Sequence, residues 1–96
     1  MPFQVRFRNR DPAALELKAR DLGPRTKPDF RETLEAAGNG QSVSGPMEVD
    51  PWPNTGKGSL RWQVRDPDSE AENWGEVEID ADGIIDVWLS NPPPWP

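Results

Sequence analysis

Apolar and polar residues alternate in four stretches of this 96-residue chain, and this period of two is typical of half-buried β-strands. The first stretch covers residues 3–8, where Phe3, Val5 and Phe7 share one face of the predicted strand. The other three stretches are residues 60–65, 76–80 and 84–89. Because these three follow one another along the chain, we expect them to form an antiparallel meander.

A short helix is predicted at residues 13–22. Pro12 stands at the first helical position behind a capping segment, apolar residues recur at i, i+4 and i+7 from Leu15, and a Gly-Pro pair ends the pattern. A strand is the competing interpretation, because Leu15, Leu17 and Ala19 also alternate with polar residues. The cap, the proline and the terminator favour the helix, and because of the alternation a strand remains the alternative.

A second helix is predicted from residue 28 or 29 to residue 37. Phe30, Leu34 and Ala37 would lie on one stripe of this helix, and a Gly-Asn-Gly segment follows it. Both helices would cover the apolar face of the sheet.

The expected fold class is therefore α+β, with an N-terminal strand, two short helices and a mostly antiparallel sheet that ends in a three-strand meander. We expect a single domain at residues 1–90, followed by a Pro-rich C-terminal tail at residues 91–96. The twelve prolines and eight glycines raise the possibility of disorder, but five tryptophans and the alternating stretches supply material for a core.

The number of residues in the turn between the last two predicted strands decides which side chains share a face of the sheet. A three-residue loop from Ala81 to Gly83, with Gly83 in the left-handed conformation, would pair Ile79 with Ile85 and leave one face purely apolar. A two-residue loop would mix polar and apolar residues on both faces. The same matching of apolar residues sets Leu60 opposite Ile79 on the preceding strand.

The reverse face of this meander is predicted to be strongly acidic. Residues 66–96 hold nine carboxylates and no lysine or arginine, whereas residues 1–35 hold eight bases and six acids. In the register above, Asp86 lies across from Glu78, and like charges directly opposite each other destabilise a sheet. A face whose like charges destabilise the sheet that carries them is a candidate for binding a partner.

The predicted binding surface combines carboxylates with tryptophans, because Trp is enriched at interface hot spots. Its residues are Asp66, Asp68, Glu70, Glu72, Trp74, Glu76, Asp80, Asp86 and Trp88. Trp74 and Trp88 would be the desolvated anchors. The alternatives are a solvated face that keeps the protein soluble, and burial of Trp88 against a helix or under the tail.

The chain contains no cysteine and no histidine, which removes the thiolate nucleophile, the usual general base and the commonest metal ligand. We therefore expect no enzymatic activity, no cofactor and no metal. Residues 78–89 follow part of the EF-hand spacing, but Leu89 occupies the position that requires a bidentate glutamate. A net charge of −6 disfavours direct nucleic-acid binding. No apolar run is long enough for a membrane span, so the cytoplasm is the expected location.

These features predict a small acidic module that binds a protein with a basic surface. The most concrete hypothesis is a stoichiometric inhibitor, of the immunity, antitoxin or phage anti-defence type, that occludes the basic cleft of a nucleic-acid-processing enzyme. Such an inhibitor would be a monomer or dimer when alone. The alternative is a structural subunit of a phage or secretion system that self-associates through the loop around Trp52 and the Pro/Trp tail.

Overall fold

The computed structural model describes residues 2–38, 40–69 and 71–89, and these residues form strands and connecting segments without a helix. Within them, accordingly, no helix is long and apolar enough to cross a membrane. The strands are Phe3–Asn9 (β1), Leu15–Asp21 (β2), Phe30–Leu34 (β3), Met47–Val49 (β4), Gly58–Arg65 (β5), Glu72–Ile79 (β6) and Gly83–Val87 (β7). The predicted tail at residues 91–96 lies outside the described residues.

The strands form two sheets that share one core. The first sheet has the order β4-β1-β7, and the second has the order β3-β2-β5-β6. The inward-facing apolar residues of both sheets belong to one cluster, and Phe7 of β1 stacks on Phe30 of β3 with ring centroids 6.2 Å apart. The buried apolar residues are Val5, Phe7, Leu15, Leu17, Ala19, Leu34, Met47, Val49, Leu60, Trp62, Val64, Ile79 and Val87. This arrangement is a small β-sandwich.

The prediction of an α+β fold is wrong, because both predicted helices are strands. Leu15, Leu17 and Ala19 are buried while the residues between them are exposed or half-buried, so the period of two prevails over the helical stripe. The capping segment has a different role: the Asp11 carboxylate accepts a hydrogen bond of 3.1 Å from the Ala13 amide within a turn between β1 and β2. An Asp cap motif serves turns and helix N-termini equally well, so this local signal could not separate the two.

The second predicted helix is also replaced by a strand. β3 pairs antiparallel with β2, and Leu34 lies opposite Leu15 in the core. Residues beyond Leu34 leave the sheet and turn at Gly38, whose φ of 86° lies in the left-handed region that favours glycine. The apolar spacing of Phe30 and Leu34 fits one face of a strand as well as it fits a helix, since their separation is an even number.

The predicted three-strand meander is correct for its first hairpin and wrong for its last strand. β5 and β6 pair antiparallel, with Leu60 opposite Val77 rather than Ile79, so the register is shifted by two residues and the faces are preserved. β6 and β7 do not pair. Instead the chain crosses to the first sheet after Ile79, and Gly83 does not adopt a left-handed conformation.

The last strand, β7, pairs parallel with β1, with Phe7 opposite Ile85. This pairing buries the apolar faces of both strands together. It also moves Asp86 away from Glu78: Asp86 lies opposite Arg8 and accepts a hydrogen bond of 2.7 Å from the Arg8 Nε. The like-charge contact expected between Asp86 and Glu78 is therefore absent, and an ion pair takes its place.

Gly75 explains the register of the β5–β6 hairpin. It lies opposite Trp62, and a Cβ atom at residue 75 would come within 2.9 Å of the Trp62 indole. Trp62 is only 3% exposed and its ring also contacts Trp88, with centroids 5.5 Å apart. The strand position facing this ring must therefore lack a side chain, and Gly75 is the residue of β6 that meets that requirement.

Ion pairs hold the connection between β2 and β3 against the end of β4. Asp50 accepts a hydrogen bond of 2.8 Å from Arg25 and lies 3.3 Å from the Lys27 Nζ. The same Lys27 nitrogen is 2.9 Å from the buried carboxylate of Asp21, which also accepts the Asp50 amide at 2.9 Å. This cluster fixes a connection that has no regular structure of its own.

These contacts predict a pH-dependent contribution to stability from Asp50. Hydrogen bonding to Arg25 lowers the pKa of Asp50, and Lys27 lowers it further. The contribution is therefore complete above the unfolded-state pKa of about 4 and is lost as the pH falls through the lower folded-state pKa. We expect Asp50→Asn to reduce the free energy of unfolding at pH 7 and to match the wild type near pH 2, as measured by urea unfolding. A difference in free energy of unfolding between the wild type and Asp50→Asn that stays constant with pH would contradict this prediction. An equal effect of Asp80→Asn, the control at an exposed site, would also contradict it.

Candidate protein-interaction surface

The acidic residues predicted to bind a partner lie mainly along β6. Glu72, Trp74, Glu76 and Glu78 are all exposed and occupy alternate positions of this strand, so they project from the outer face of the four-stranded sheet. Neighbouring side chains on one face of a strand are about 6.7 Å apart. The three carboxylates and the indole therefore form a row about 20 Å long, which we call the acidic margin.

The acidic margin lies at an edge of the sheet. Within the described part of the chain, β6 pairs only with β5, and no strand pairs with its other side. Proteins commonly keep such edges from pairing indiscriminately by placing charged side chains on them. The carboxylates of β6 are therefore compatible with protection of an edge as well as with recognition of a partner.

Trp74 is the large apolar side chain at the centre of this row. It is 62% exposed, and the Arg61 guanidinium carbon lies 5.5 Å from its ring centroid. This cation–π contact orients the ring on the surface without burying it. An exposed, oriented indole is the kind of side chain that forms interface hot spots.

Counter-ions cover part of the acidic margin. Arg61 donates two hydrogen bonds to Glu76, at 3.1 and 2.6 Å, and Lys57 lies 3.4 Å from Glu78. Glu72 has no salt bridge among the described residues. These pairs are solvent-exposed and hence worth little, so a partner could exchange them at small cost.

Further carboxylates extend the acidic margin at both ends. Asp66 and Asp68 lie in the turn between β5 and β6, where Asp66 accepts a hydrogen bond of 2.9 Å from the Asp68 amide. Asp80 follows β6 and is exposed. Glu70 belongs to the predicted set but lies outside the described residues. The structure thus brings together Asp66, Asp68, Glu72, Trp74, Glu76 and Asp80 along β6 and its two ends.

Two predicted residues, Asp86 and Trp88, are not part of this surface. Asp86 faces outward from the other sheet and is paired with Arg8. Trp88 is half-buried and packs against Trp62 in the core, and its carbonyl accepts a hydrogen bond of 2.8 Å from Asn73. The alternative in which Trp88 is buried therefore agrees with its position, although the element it packs against is a strand rather than a helix.

Three bases of β2 and β3 that share this face were missed by reasoning from the sequence. Arg61 and Arg65 of β5 point outward, and the reassigned strands β2 and β3 add further bases beside them. The added bases are Lys18, Arg20 and Arg31. The alternation of Glu16, Lys18 and Arg20 with buried residues would have revealed them had these residues been read as a strand. Glu16 lies on the same face and accepts a hydrogen bond from Arg65, and Asp29 pairs with Arg20, so the face is mixed in charge rather than uniformly acidic.

The segment with partial EF-hand spacing does not converge on a cation site. Glu78 belongs to the second sheet, whereas Asp86 belongs to the first and is bonded to Arg8. Asp82, between them, accepts a hydrogen bond of 2.8 Å from the Gln4 amide. Among residues 2–38, 40–69 and 71–89, no three carboxylates are arranged to hold a metal ion.

Comparisons with protein-family models, with curated proteins and with solved structures give no match to this chain. The candidate surface is therefore interpreted from its own geometry and charge.

Proposed function

We propose that this chain is a cytoplasmic, stoichiometric protein inhibitor whose acidic margin docks onto the basic cleft of a nucleic-acid-processing enzyme. The observation that carries the proposal is the acidic margin itself, with an exposed Trp74 at its centre and carboxylates on either side along an open sheet edge. Immunity proteins, antitoxins and phage anti-defence proteins are the functional classes that act in this way.

The charge of the acidic margin favours a basic target. Carboxylates repeat along β6 with a regular spacing, and the whole chain carries a net charge of −6. Such a field raises the rate of encounter with a positively charged cleft, and salt weakens that effect. Occupation of the cleft by carboxylates would exclude the phosphates of a nucleic acid, so the mechanism is steric and electrostatic occlusion.

Trp74 would supply the affinity that surface charge alone does not. Its ring is mostly exposed in the free protein, so transfer into a partner pocket removes a large apolar surface from water. We expect Trp74→Ala to weaken binding by about 2 kcal/mol, or roughly 30-fold in Kd, mainly through faster dissociation. The matched control is Trp52→Ala, because Trp52 is 40% exposed but lies in the loop between β4 and β5.

A pair of charge-matched double variants tests the proposal. Glu72→Gln with Glu76→Gln neutralises the acidic margin, and Glu35→Gln with Glu48→Gln removes the same charge elsewhere on the exposed surface. Protein captured from the source cells by tagged wild-type chain would be purified and its association rate measured by surface plasmon resonance. We expect the captured protein to be basic. At low salt its association rate with the first double variant should be roughly tenfold lower than with the wild type, whereas the second double variant should change the rate little.

The inhibitory part of the proposal has its own measurement. The nucleic-acid-processing activity of the captured protein should fall to zero as wild-type chain is added to a 1:1 ratio. Full activity at saturation would overturn the inhibitor function, and equal binding of both double variants would overturn the assignment of the acidic margin.

A structural subunit is the second candidate, and one observation favours it. Trp52 is exposed within a well-defined turn in which its amide donates to the Lys57 carbonyl at 2.9 Å and its carbonyl accepts from the Gly56 amide at 2.8 Å. A rigid, exposed Trp could lock into a neighbouring copy in an assembly. Large, salt-indifferent assemblies of wild-type chain that dissociate with Trp52→Ala would favour this candidate over the inhibitor.

A further inference from the structure

We propose that the partner of this chain supplies an extended basic segment, which adds to the open edge of β6 as a fifth strand of the four-stranded sheet. The proposal rests on the proposed function in one respect, since it takes the partner to be a basic protein, and it specifies how that partner is held. It is based on the direction of the backbone groups of β6, on the uninterrupted edge of this strand and on carboxylate oxygens that face no cation of the chain.

The backbone groups of β6 point alternately towards β5 and towards the open edge. The Asp66 amide donates to the Ala71 carbonyl at 2.9 Å, directly beside the register of β5 and β6. On the other side of β5, the Ser59 carbonyl accepts the Leu22 amide at 2.9 Å. Because hydrogen-bonded pairs alternate with unbonded pairs in an antiparallel ladder, both contacts assign the odd-numbered residues of β6 to bonding with β5. The residues whose N–H and C=O groups point to the open edge are Glu72, Trp74, Glu76 and Glu78.

These groups form a template for an added strand. Within the described part of the chain, no strand pairs with this side of β6. Unpaired edge groups bind extended peptides by continuing the ladder of hydrogen bonds. Directly paired residues have their side chains on the same face of a sheet. Every second side chain of an added strand would therefore lie directly opposite a side chain of the acidic margin.

β6 lacks several features by which proteins protect a sheet edge. It is eight residues long and contains neither lysine nor proline. Its register with β5 is continuous from Glu72 to Ile79, so no bulge turns the edge away. The other edge strands are shorter, because β3 and β7 have five residues each and β4 has three. The edge of β6 is thus the longest template in the two described sheets.

The carboxylates disfavour a second copy of this chain as the added strand. If two copies of β6 paired antiparallel through their outward-directed groups, full overlap would set Glu72 of each copy opposite Glu78 of the other. A shift of two residues in either direction also sets a glutamate opposite a glutamate. Directly opposed like charges destabilise a sheet. The edge therefore selects a strand of opposite charge.

The glutamates of β6 can accept bases from the edge side. Arg61 donates both of its hydrogen bonds to Oε1 of Glu76, and Lys57 donates to Oε1 of Glu78. Oε2 of each glutamate accepts no hydrogen bond within the described residues. A carboxylate can accept several hydrogen bonds at once, so a base of the added strand would not need to displace Arg61 or Lys57.

The charge at the start of β6 is less balanced. Arg65 lies opposite Glu72, but its guanidinium donates to Glu16 at 3.1 Å. Glu72, Asp66 and Asp68 form no salt bridge among residues 2–38, 40–69 and 71–89. A base opposite Glu72 would therefore meet carboxylates without a salt-bridge partner.

The two faces of β6 define the chemistry of the added segment. Its residues opposite Glu72, Glu76 and Glu78 should be basic, and an arginine opposite Trp74 would stack on the indole. The residues between them would point to the inner face beside the partly buried Val77, where apolar side chains fit. The segment thus alternates bases with apolar residues.

A synthetic peptide with the sequence Lys-Val-Lys-Val-Arg-Val-Lys, blocked at both ends, tests the proposal on the full chain. We expect binding with a Kd on the order of 100 µM, because a single short strand buries little surface. At saturation, hydrogen exchange measured by NMR should slow roughly tenfold for the amides of Trp74 and Glu76. The amides of Gly75 and Val77, which already bond to β5, should change little.

N-methylated peptides separate strand addition from simple attraction of charge. In the proposed antiparallel pairing, the amides of the basic residues donate to β6 and the valine amides point away from it. Methylation of two basic-residue amides should weaken binding by at least about tenfold, whereas methylation of two valine amides should change Kd by less than about threefold. All these peptides carry the same charge. Equal effects of the two methylations, or no binding of the unmethylated peptide, would overturn the proposal.

Hydrogen exchange in the free protein tests whether the edge is open. Protection of the Trp74 and Glu76 amides without peptide would show that the chain itself or a second copy occupies the edge, which would also overturn the proposal. None of these readings requires the captured enzyme. A chain that inhibits the enzyme but does not bind the peptide would refute strand addition and leave the inhibitor function standing, and a chain that binds the peptide but inhibits no enzyme would do the reverse.

Discussion

Replacement of Gly75 with alanine is expected to lower the free energy of unfolding by about 1–3 kcal/mol, and replacement with valine by more. The added Cβ would lie 2.9 Å from three atoms of the Trp62 indole, closer than van der Waals contact allows. The ring cannot move away cheaply, because Trp62 is buried and packs against Trp88. Chemical unfolding followed by tryptophan fluorescence would measure the effect.

Gly83 offers a matched control for this substitution. It is also a strand glycine, its φ is not left-handed, and a Cβ atom added there would meet no other atom within 4 Å. Gly83→Ala should therefore be neutral or stabilise the protein by about 0.4–1 kcal/mol through the unfolded state. Trp62→Phe in the Gly75→Ala background should recover part of the lost stability, since the smaller ring leaves room for the methyl group. Additive effects of the two substitutions would mean that the ring contact is not the cause.

The strands of this fold could be predicted where their alternation had no competitor. β1 and β5 are recognisable in this way, and β6 pairs with β5 on the expected faces. Residues 15–21 carry the same alternation, but a cap, a proline and a terminator support a helix there. The tertiary structure resolves this conflict: the alternating residues of β2 line the core between β3 and β5, where a helix would have no room in the sheet.

The pairing of β7 with β1 could not be predicted from local patterns. Asp82 and Gly83, where β7 begins, form an Asp-Gly pair typical of hairpin turns, but the chain passes from one sheet to the other at this point. The first and last strands of the described fold then pair in parallel, which depends on packing of the whole sandwich. For the same reason parity alone places Asp86 beside Glu78, whereas its partner in the fold is Arg8.

The acidic margin could be predicted from the sequence, whereas the neighbouring strands β2 and β3 of the same sheet were hidden by the wrong helix assignments. A helix assignment disperses Lys18 and Arg20 around an axis, whereas the strand places them beside the bases of β5. The corrected face is mixed in charge, because Arg61 bonds to Glu76, Arg65 to Glu16 and Arg20 to Asp29.

Removal of the Asn9 side chain is expected to have the largest effect on stability among single polar substitutions. Asn9 is 1% exposed, and its amide nitrogen donates hydrogen bonds to the carbonyls of Ala13 and Glu35 at 2.8 and 2.9 Å. Its amide oxygen accepts the Asp11 amide at 2.8 Å. One side chain thus joins the end of β1, the turn before β2 and the segment after β3, and buried or partly buried backbone groups of this kind are seldom left unpaired.

Asn9→Ala would leave three backbone groups without their partner, so we expect a loss of about 3 kcal/mol or more, against a typical total of about 5–15 kcal/mol. Asn9→Asp separates hydrogen bonding from packing, because the side chain keeps its shape while a carboxylate would face two carbonyl oxygens. Burial raises the pKa of such a carboxyl above its unfolded value, so the deficit relative to wild type should shrink as the pH falls from 7 towards 4. Urea unfolding of both variants across this range would measure it, with Asn54→Ala in the exposed loop before β5 as the neutral control. A deficit of Asn9→Asp that does not change with pH would show that the amide acts through packing rather than through its two donated hydrogen bonds.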